Sequence, residues 1–367
     1  MKIALDAKRI FHNTTGLGVY GRNLVSGLNR LASKHDFILY SPKVNKPLFD
    51  VSTLSSKFRL IEGSGFSSYY WRTCSISKSI KKEKIDIYHG LSNELPLSIK
   101  KSNAKSIVDI HDLCFLKFPS DYSKLDQHIF HYKAKHAAMN SDKIIATSQA
   151  TKKDILQFFN VHESKVEVVY QSCAEAFYKE LDQEKLNLIK SKYSLPSDFI
   201  LSVGTIQGRK NQKLIVQAMS LIEKSKRLPI VLVGSGGNYL KETQILAKKL
   251  DVTVELKTVL NNEDLPAIYQ LAKIFVYPSL LEGFGIPVLE AMASKVPCLS
   301  SSNTSMSEIL QNEDCLINPK NSKDLADKIL HLLNTNSEQQ VHKNYLRALE
   351  FSNEKFASSI LKIYETI

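Results

Sequence analysis

The chain has 367 residues, 43% of them hydrophobic and 23% charged. At roughly 150 residues per domain that is apolar material and length for two packed domains, which excludes whole-chain disorder. Forty-nine Lys and Arg against 37 Asp and Glu give a net charge of +12, which bears on association and solubility rather than on fold.

Short β-branched runs alternate with amphipathic stretches from the start. Lys2–Ala7 reads as a strand, the turn Thr14–Gly18 contains glycine, and a helix is expected from about Val19 to Ala32. Phe37–Tyr40, Ile85–His89, Ser106–Ile110, Lys143–Thr147 and Val166–Tyr170 read as further strands, with a helix over Tyr122–Asn140 among the segments between them. The pattern restarts after a charged helix, Lys179–Tyr193, broken by Leu195-Pro196-Ser197. Strands are expected at Phe199–Val203, Pro229–Val233, Thr253–Leu256 and Ile274–Tyr277, and helices at Asn211–Leu221 and Pro287–Ala293. Glu354–Ile367 places Phe356, Ile360, Ile363 and Tyr364 on one helical face, which must cover something apolar. Strands alternating with helices call for parallel sheets covered on both faces. The expected organisation is an N-terminal Rossmann-like domain over 1–178, a second over 179–350, and a helix over 351–367 returning to the first.

Five well-separated cysteines, odd in number and without a CxxC pair, argue against a disulfide framework or a zinc ribbon and suit a reducing compartment. The opening MKIALDAKRI puts Asp6, Lys8 and Arg9 where a signal peptide needs apolar residues. No apolar run approaches the roughly 20 residues of a membrane span, so a soluble, cytoplasmic protein is expected. Up to Tyr178 there are 26 basic and 16 acidic residues; from Lys179 on, 23 and 21. This asymmetry fits either a well-solvated surface or a polyanionic partner, nucleic acid or an anionic membrane face.

Open parallel sheets bind ligands beyond the carboxyl ends of their strands. The most informative such place is the run from Tyr277 to Ala293, YPSLLEGFGIPVLEAMA, where a strand enters a glycine-containing loop and a helix follows. Amides around Phe284–Ile286, reinforced by the helix dipole, make an anion site. A carboxylate beside a bound phosphate would repel it, so Glu282 and Glu290 are expected to face sugar or ribose hydroxyls. On residue type alone they read equally as a loop acid and a helix-end charge.

This segment resembles the E-x7-E motif of family 4 glycosyltransferases, which have the GT-B fold, and other stretches agree in order. Thr15-Gly16-Leu17-Gly18-Val19-Tyr20 is similar to the family's first glycine loop, and His111-Asp112-Leu113 with Phe118-Pro119 to its histidine loop. Ser141–Ser148 (SDKIIATS) and Ser202-Val203-Gly204-Thr205 with Arg209-Lys210-Asn211 match two further segments. The resemblance implies an α/β, GT-B fold: two Rossmann-like doubly wound domains facing each other across a cleft that holds a nucleotide sugar. It implies that Arg209 and Lys210 neutralise the donor diphosphate, with Gly16 bringing a backbone amide to the same phosphates. Glu282, Gly283, Phe284, Gly285 and Ile286 would hold the transferred sugar, Glu290 the ribose and Val259 the nucleobase side. His111 would stand near the reacting centre. It also implies retention of configuration, no metal and no cofactor beyond the donor.

The chain departs from the family pattern at Lys295, where a glycine is usual and a differently shaped turn is expected, at Gln207-Gly208, and at Thr258. Ser305-x-x-Glu308 reads as a capping box. The stretch His111–Pro119 resembles bacterial mannosyltransferases of surface-polysaccharide assembly, which points to GDP-mannose as donor, with a UDP-hexose as the alternative, and to a glycan or polyprenyl-linked acceptor. Lys124, His128, His131 and Lys135 make a basic stripe on one helix face, and Tyr69-Tyr70-Trp71-Arg72 precedes Lys78, Lys81, Lys82 and Lys84. Aromatics beside a basic segment suit peripheral contact with anionic lipid. Two other classes remain, a nucleotide-sugar 2-epimerase and a non-enzymatic nucleic-acid binder; the flanked glutamate motif and the lack of any RNP or zinc-finger signature speak against them.

Overall fold

The structure is a computed structural model and describes residues 1–31, 34–45, 47–63, 70–259 and 261–367. The expected helix end at Ala32 and Tyr69 of the aromatic run lie outside these residues. The chain forms two compact units, one of Met1–Cys173 with Phe351–Ile367 and one of Ala174–Glu350. The first therefore ends five residues earlier than the expected boundary at 178. The turn Glu175–Tyr178 goes with the second unit because Phe177 is buried edge-on against Tyr269.

In the first unit, seven parallel strands run β1 (Lys2–Asp6), β2 (Asp36–Ser41), β3 (Phe58–Glu62), β4 (Ile87–Gly90), β5 (Lys105–Ile110), β6 (Lys143–Ala146) and β7 (Val166–Val168) in chain order. Across the sheet the order is β3-β2-β1-β4-β5-β6-β7. Apolar residues on both faces of β1, β5 and β6 are buried, as a sheet with helices on each side requires. The order reverses between β1 and β4, so the crevice beyond their carboxyl ends is this unit's expected ligand place.

The helix Gly16–Arg30 packs Leu24, Val25 and Leu28 into the same core as Phe356, Ala357, Ile360 and Ile363 of the C-terminal helix Asn353–Thr366. A Cβ added at Gly27 would lie 2.7 Å from the Ala357 Cβ, so glycine is what allows these helices to approach. Ser352 caps the C-terminal helix by accepting from the Lys355 amide.

The second unit repeats the plan with β8 (Ile200–Val203), β9 (Ile230–Val233), β10 (Val254–Lys257), β11 (Ile274–Tyr277), β12 (Cys298–Ser301) and β13 (Leu316–Ile317), ordered β10-β9-β8-β11-β12-β13. Its reversal lies between β8 and β11. Gly204 and Gly234 end β8 and β9 with φ of +130° and +150°, and a Cβ on Gly234 would stand 2.1 Å from the Gly204 carbonyl oxygen. Only glycine lets those two strand ends turn side by side.

Candidate functional site

The reversal point of the second unit gathers the sequence-predicted cations. After β8, the turn Gly208–Lys210 delivers Arg209 and Lys210, and Asn211 leaves it in the left-handed conformation at φ 60°. The loop after β11 is tied to this turn. The Leu280 amide donates to the Arg209 carbonyl at 2.8 Å, Ser279 Oγ lies 3.1 Å from the same oxygen, and Arg209 Nη1 donates to the Leu281 carbonyl. Asn211 Nδ2 donates to the carbonyls of Pro278 and Pro319, and Asn303 Nδ2 to that of Leu280.

Four donors meet on one oxygen of Glu282. Its Oε1 lies 2.7 Å from Lys210 Nζ, 3.0 Å from Arg209 Nη1, 2.6 Å from Ser279 Oγ and 3.1 Å from the Tyr277 hydroxyl. Lys210 also bonds the Tyr277 hydroxyl and stands over that ring, 5.0 Å from its centroid. Burial alone would raise the Glu282 pKa, but Lys210 and Arg209 outweigh it and hold the carboxyl at about 2. The sequence expectation sent the two cations to a phosphate and Glu282 to hydroxyls. In the structure all three are joined, and the shared carboxylate offsets part of the charge of two cations held inside the protein. Tyr277 and Ser279 are site residues that sequence reasoning missed. Tyr277 read as a strand end, and only the i, i+3 spacing from Ser279 to Glu282 hinted at the bond.

Beyond the loop, Phe284 is buried and Gly285 caps the helix Ile286–Ala293 at φ 111°, a conformation that favours glycine. The helix starts at Ile286, one residue before the expected Pro287. Glu290 lies one turn in, buried, and accepts from the Tyr269 hydroxyl at 2.8 Å. Burial raises its pKa to about 7, with the Tyr269 bond pulling the other way. The two motif glutamates are thus opposites: Glu282 is ionised by its neighbours, and Glu290 is poised between forms near neutral pH. Val259 is half-buried in the loop that follows β10.

One expectation for this unit is corrected. Ser305 does not form a capping box: Thr304 is the N-cap residue and makes no side-chain cap bond, while Ser305 Oγ donates to the Glu282 carbonyl at 3.0 Å. The serine is used to fix the Glu282 loop rather than the helix end. Lys295 adopts a left-handed conformation at φ 57°, which favours glycine, with its ammonium bonded to Glu180 and 5.0 Å over the Tyr345 ring.

In the first unit, His111 follows β5 and is buried. Its Nε2 is 2.9 Å from the Leu91 carbonyl, its ring is perpendicular to Tyr20 at 4.6 Å, and its own carbonyl accepts from Thr147 Oγ1. Gly16 opens the helix that carries Tyr20. Among the described residues a Cβ at Gly16 would meet no atom within 4 Å, whereas one at Gly18 would lie 1.9 Å from the Asn13 carbonyl oxygen. Among protein contacts, then, it is Gly18 and not Gly16 that must be glycine; any demand at Gly16 comes from what binds there.

The aromatic–basic run is also corrected. Trp71 is half-buried, 6.1 Å from Tyr40. Arg72 is buried at the β1/β4 reversal, with its Nε 2.7 Å from Asp6 Oδ2 and its Nη1 2.5 Å from Glu94 Oε1; Lys133 reaches the other Glu94 oxygen at 2.9 Å. Tyr70 and Lys78, Lys81, Lys82 and Lys84 stay exposed.

Comparison with known proteins matches this geometry to a family. The family model "Glycosyltransferase Family 4" matches residues 14–172, and "Glycosyl transferases group 1" matches 187–348, so the two tile almost the whole chain. The chain belongs to the family 4 glycosyltransferases. Family members similar to it include the serotype-specific mannosyltransferase WbdA of Escherichia coli, 32% identical over 251 residues, 66% of this chain and 31% of that protein. The chain thus spans about a third of WbdA's length. It is also similar, end to end, to O-antigen chain mannosyltransferase B of Escherichia coli, 27% identical over 390 residues with all of each chain covered. Among solved structures, Anabaena HepE in complex with UDP and glucose superposes over all of both chains with a TM-score of 0.75 at 15% identity, which speaks for the shared GT-B fold alone. In the family 4 glycosyltransferase described here, the fold is accordingly GT-B, with two parallel-sheet Rossmann-like domains.

Proposed function

We propose that the chain is a retaining hexosyltransferase that moves mannose from GDP-mannose to a hydroxyl of a glycan or polyprenyl-linked glycan in surface-polysaccharide biosynthesis, with a UDP-hexose as the alternative donor. The observation that carries this is the reversal point of the second unit, where two buried cations share a single carboxylate oxygen. Two fixed cations beside a helix start are complementary in charge to a diphosphate. The mannosyltransferase relatives support the choice of sugar, and HepE, solved with UDP and glucose, supports a nucleotide-sugar donor.

In this reading Arg209 and Lys210 turn to the diphosphate, and their fixed charge stabilises the leaving group as the sugar–phosphate bond breaks. Glu282, released from them, accepts from the hydroxyls of the transferred sugar beside Gly283–Ile286. Glu290 accepts from the ribose hydroxyls, Val259 borders the base, and Gly16 brings its amide to the phosphates. The acceptor oxygen bonds to the anomeric carbon on the face that the phosphate leaves. Its proton goes to a leaving phosphate oxygen, and His111 lines the reacting side. No metal and no cofactor beyond the donor takes part; loss of turnover in EDTA with recovery in manganese would overturn that part.

The test is a thermal-shift panel of GDP-mannose, UDP-glucose, UDP-galactose and UDP-GlcNAc, because binding to the native state raises the melting temperature with the logarithm of ligand excess. GDP-mannose is expected to give the largest shift and slow hydrolysis to GDP. A panel in which none shifts the midpoint removes the reading.

The protein works in the cytoplasm against the membrane face, through the helix Lys124–Asn140. That helix buries only Ala134, Ala137 and Ala138, and it exposes Leu125, Ile129 and Tyr132 among Lys124, His128 and Lys135. Apolar and basic side chains on one exposed helix suit an anionic interface. Among the described residues no helix is long and apolar enough to cross a membrane. Co-sedimentation with vesicles is expected to rise with anionic lipid and to fall in Leu125→Glu/Ile129→Glu; equal binding to neutral vesicles would refute the contact.

A further inference from the structure

A chain of buried polar side chains runs through the first unit with no role in the reading above. His89 on β4 and Asp109 on β5 are both wholly buried, with His89 Nε2 2.7 Å from Asp109 Oδ1. On its other side, His89 Nδ1 is 2.7 Å from the hydroxyl of Tyr364, on the C-terminal helix. Tyr20, also buried, stands in the field of Asp109: burial first, then that charge, push its phenol well above its usual range. Among the described residues neither the Tyr20 hydroxyl nor Asp109 Oδ2 has a hydrogen-bond partner, so Tyr20 is held by its ring.

An apolar core of this size has no need of a histidine, an aspartate and two tyrosine hydroxyls, and burying them is costly unless they fix something. The Tyr20 ring shows what they fix. One side of it rests on Phe356 of the C-terminal helix, with centroids 5.0 Å apart, and it meets His111 perpendicularly at 4.6 Å. The His111 ring is then held on two sides, by Tyr20 and by Leu91. A carbonyl only accepts, so the 2.9 Å contact with Leu91 puts the proton on Nε2. In the neutral ring this leaves Nδ1 as the acceptor that can meet a substrate hydroxyl.

We propose that Tyr20 is a positioning residue for His111, and that the Asp109–His89–Tyr364 chain ties the C-terminal helix to the sheet, so that Phe356 of that helix holds the Tyr20 ring and through it the orientation of the His111 imidazole. The packing half of this stands on the first unit alone. Its catalytic half rests on the reading of His111 as part of the reacting centre.

The experiment uses the full chain labelled with 15N-histidine, with the His111 signal assigned by its loss in His111→Gln. The wild type is expected to show the Nε2–H tautomer at His111. Tyr20→Leu is expected to replace that signature with averaged ring shifts and to lower kcat roughly ten- to a hundred-fold, donor KM staying within about two-fold. Tyr20→Phe, which keeps the ring, is expected to restore the signature and most of kcat. Tyr364→Phe removes only the far hydroxyl and keeps the packing; it is expected to move the His111 shifts without loss of fold, and it carries the test if Tyr20→Leu does not fold. Wild-type His111 shifts in folded Tyr20→Leu, or in Tyr364→Phe, would overturn the inference. Altered shifts with unaltered kcat would uphold the positioning and remove His111 from the reaction.

Discussion

Each sheet reverses its strand order once, and each reversal holds a buried cluster of cations and carboxylates, but in different arrangements. In the first unit, Arg72 and Lys133 face Asp6 and Glu94, with Lys8 half-buried nearby. Every carboxylate there has its own cation. Burial would raise the Glu94 pKa, but Arg72 and Lys133 outweigh it and hold it at about 2. In the second unit, Arg209 and Lys210 share a single oxygen of Glu282. The first cluster is a chain of ion pairs strung over two carboxylates; the second converges two cations on one carboxylate oxygen. The same topology thus gives one crevice with its pairs spread out and one with its charges focused on a single point.

The sharpest way to break that contrast is to delete one cation on each side. Arg72→Met leaves Asp6 and Glu94 buried without their main partner, which typically costs about 3–5 kcal/mol. Urea unfolding is expected to show that loss, while the turnover of the molecules that remain folded stays near normal. Lys210→Met leaves Arg209 on Glu282, so its stability loss is expected to be smaller. Its turnover with the true donor is expected to fall by roughly 10²–10³, as when a fixed charge is removed from a developing anion. Equal stability losses, or normal turnover in Lys210→Met, would mean that the two crevices do not differ in the way their charges suggest.

The sequence carried this fold unevenly, and the two crevices show why. Periodicity places β1, β5, β8 and β11 within a residue or so, since each is a run of Ile, Val and Leu between turn residues. It misses β3, whose Arg59 and Glu62 break the pattern, β12, where Ser300 and Ser301 are buried in a strand that looks polar, and β13, only two residues long. Ser300 is paid for by a hydrogen bond to the Tyr277 carbonyl, a partner 23 residues away that no local pattern reveals. The site divides likewise. Arg209, Lys210, Glu282 and Glu290 are legible from their places after strands and their resemblance to a motif. That Lys210 and Glu282 touch, that Ser305 serves the Glu282 loop and that Arg72 lies inside are results of long-range pairing. Charge in a sequence reads as surface until a partner distant along the chain is known.

Within the second crevice the two glutamates sharpen the comparison further, because their shifts have opposite signs. Glu290 rises from 4.5 to about 7 through burial. The folded protein then binds its proton more tightly than the unfolded chain, so this stabilising contribution is complete below about pH 4.5 and lost as pH climbs through 7. The size is about 3 kcal/mol at 1.36 kcal/mol per pKa unit. Glu282 falls to about 2, so its contribution is present above pH 4.5 and lost as pH drops through 2. Unfolding free energies of wild type and Glu290→Gln are expected to diverge between pH 4.5 and 7, the variant lacking the wild type's decline. The ribose contact proposed for Glu290 adds a second readout, since only the ionised carboxylate accepts from both hydroxyls. Donor affinity of the wild type is expected to rise through pH 7, and that of Glu290→Gln to be weaker and flat. A variant that keeps the stability decline would place the titrating group elsewhere. One that loses the decline but binds donor like wild type would leave Glu290 as a buried acid of the fold, with the ribose held by other groups.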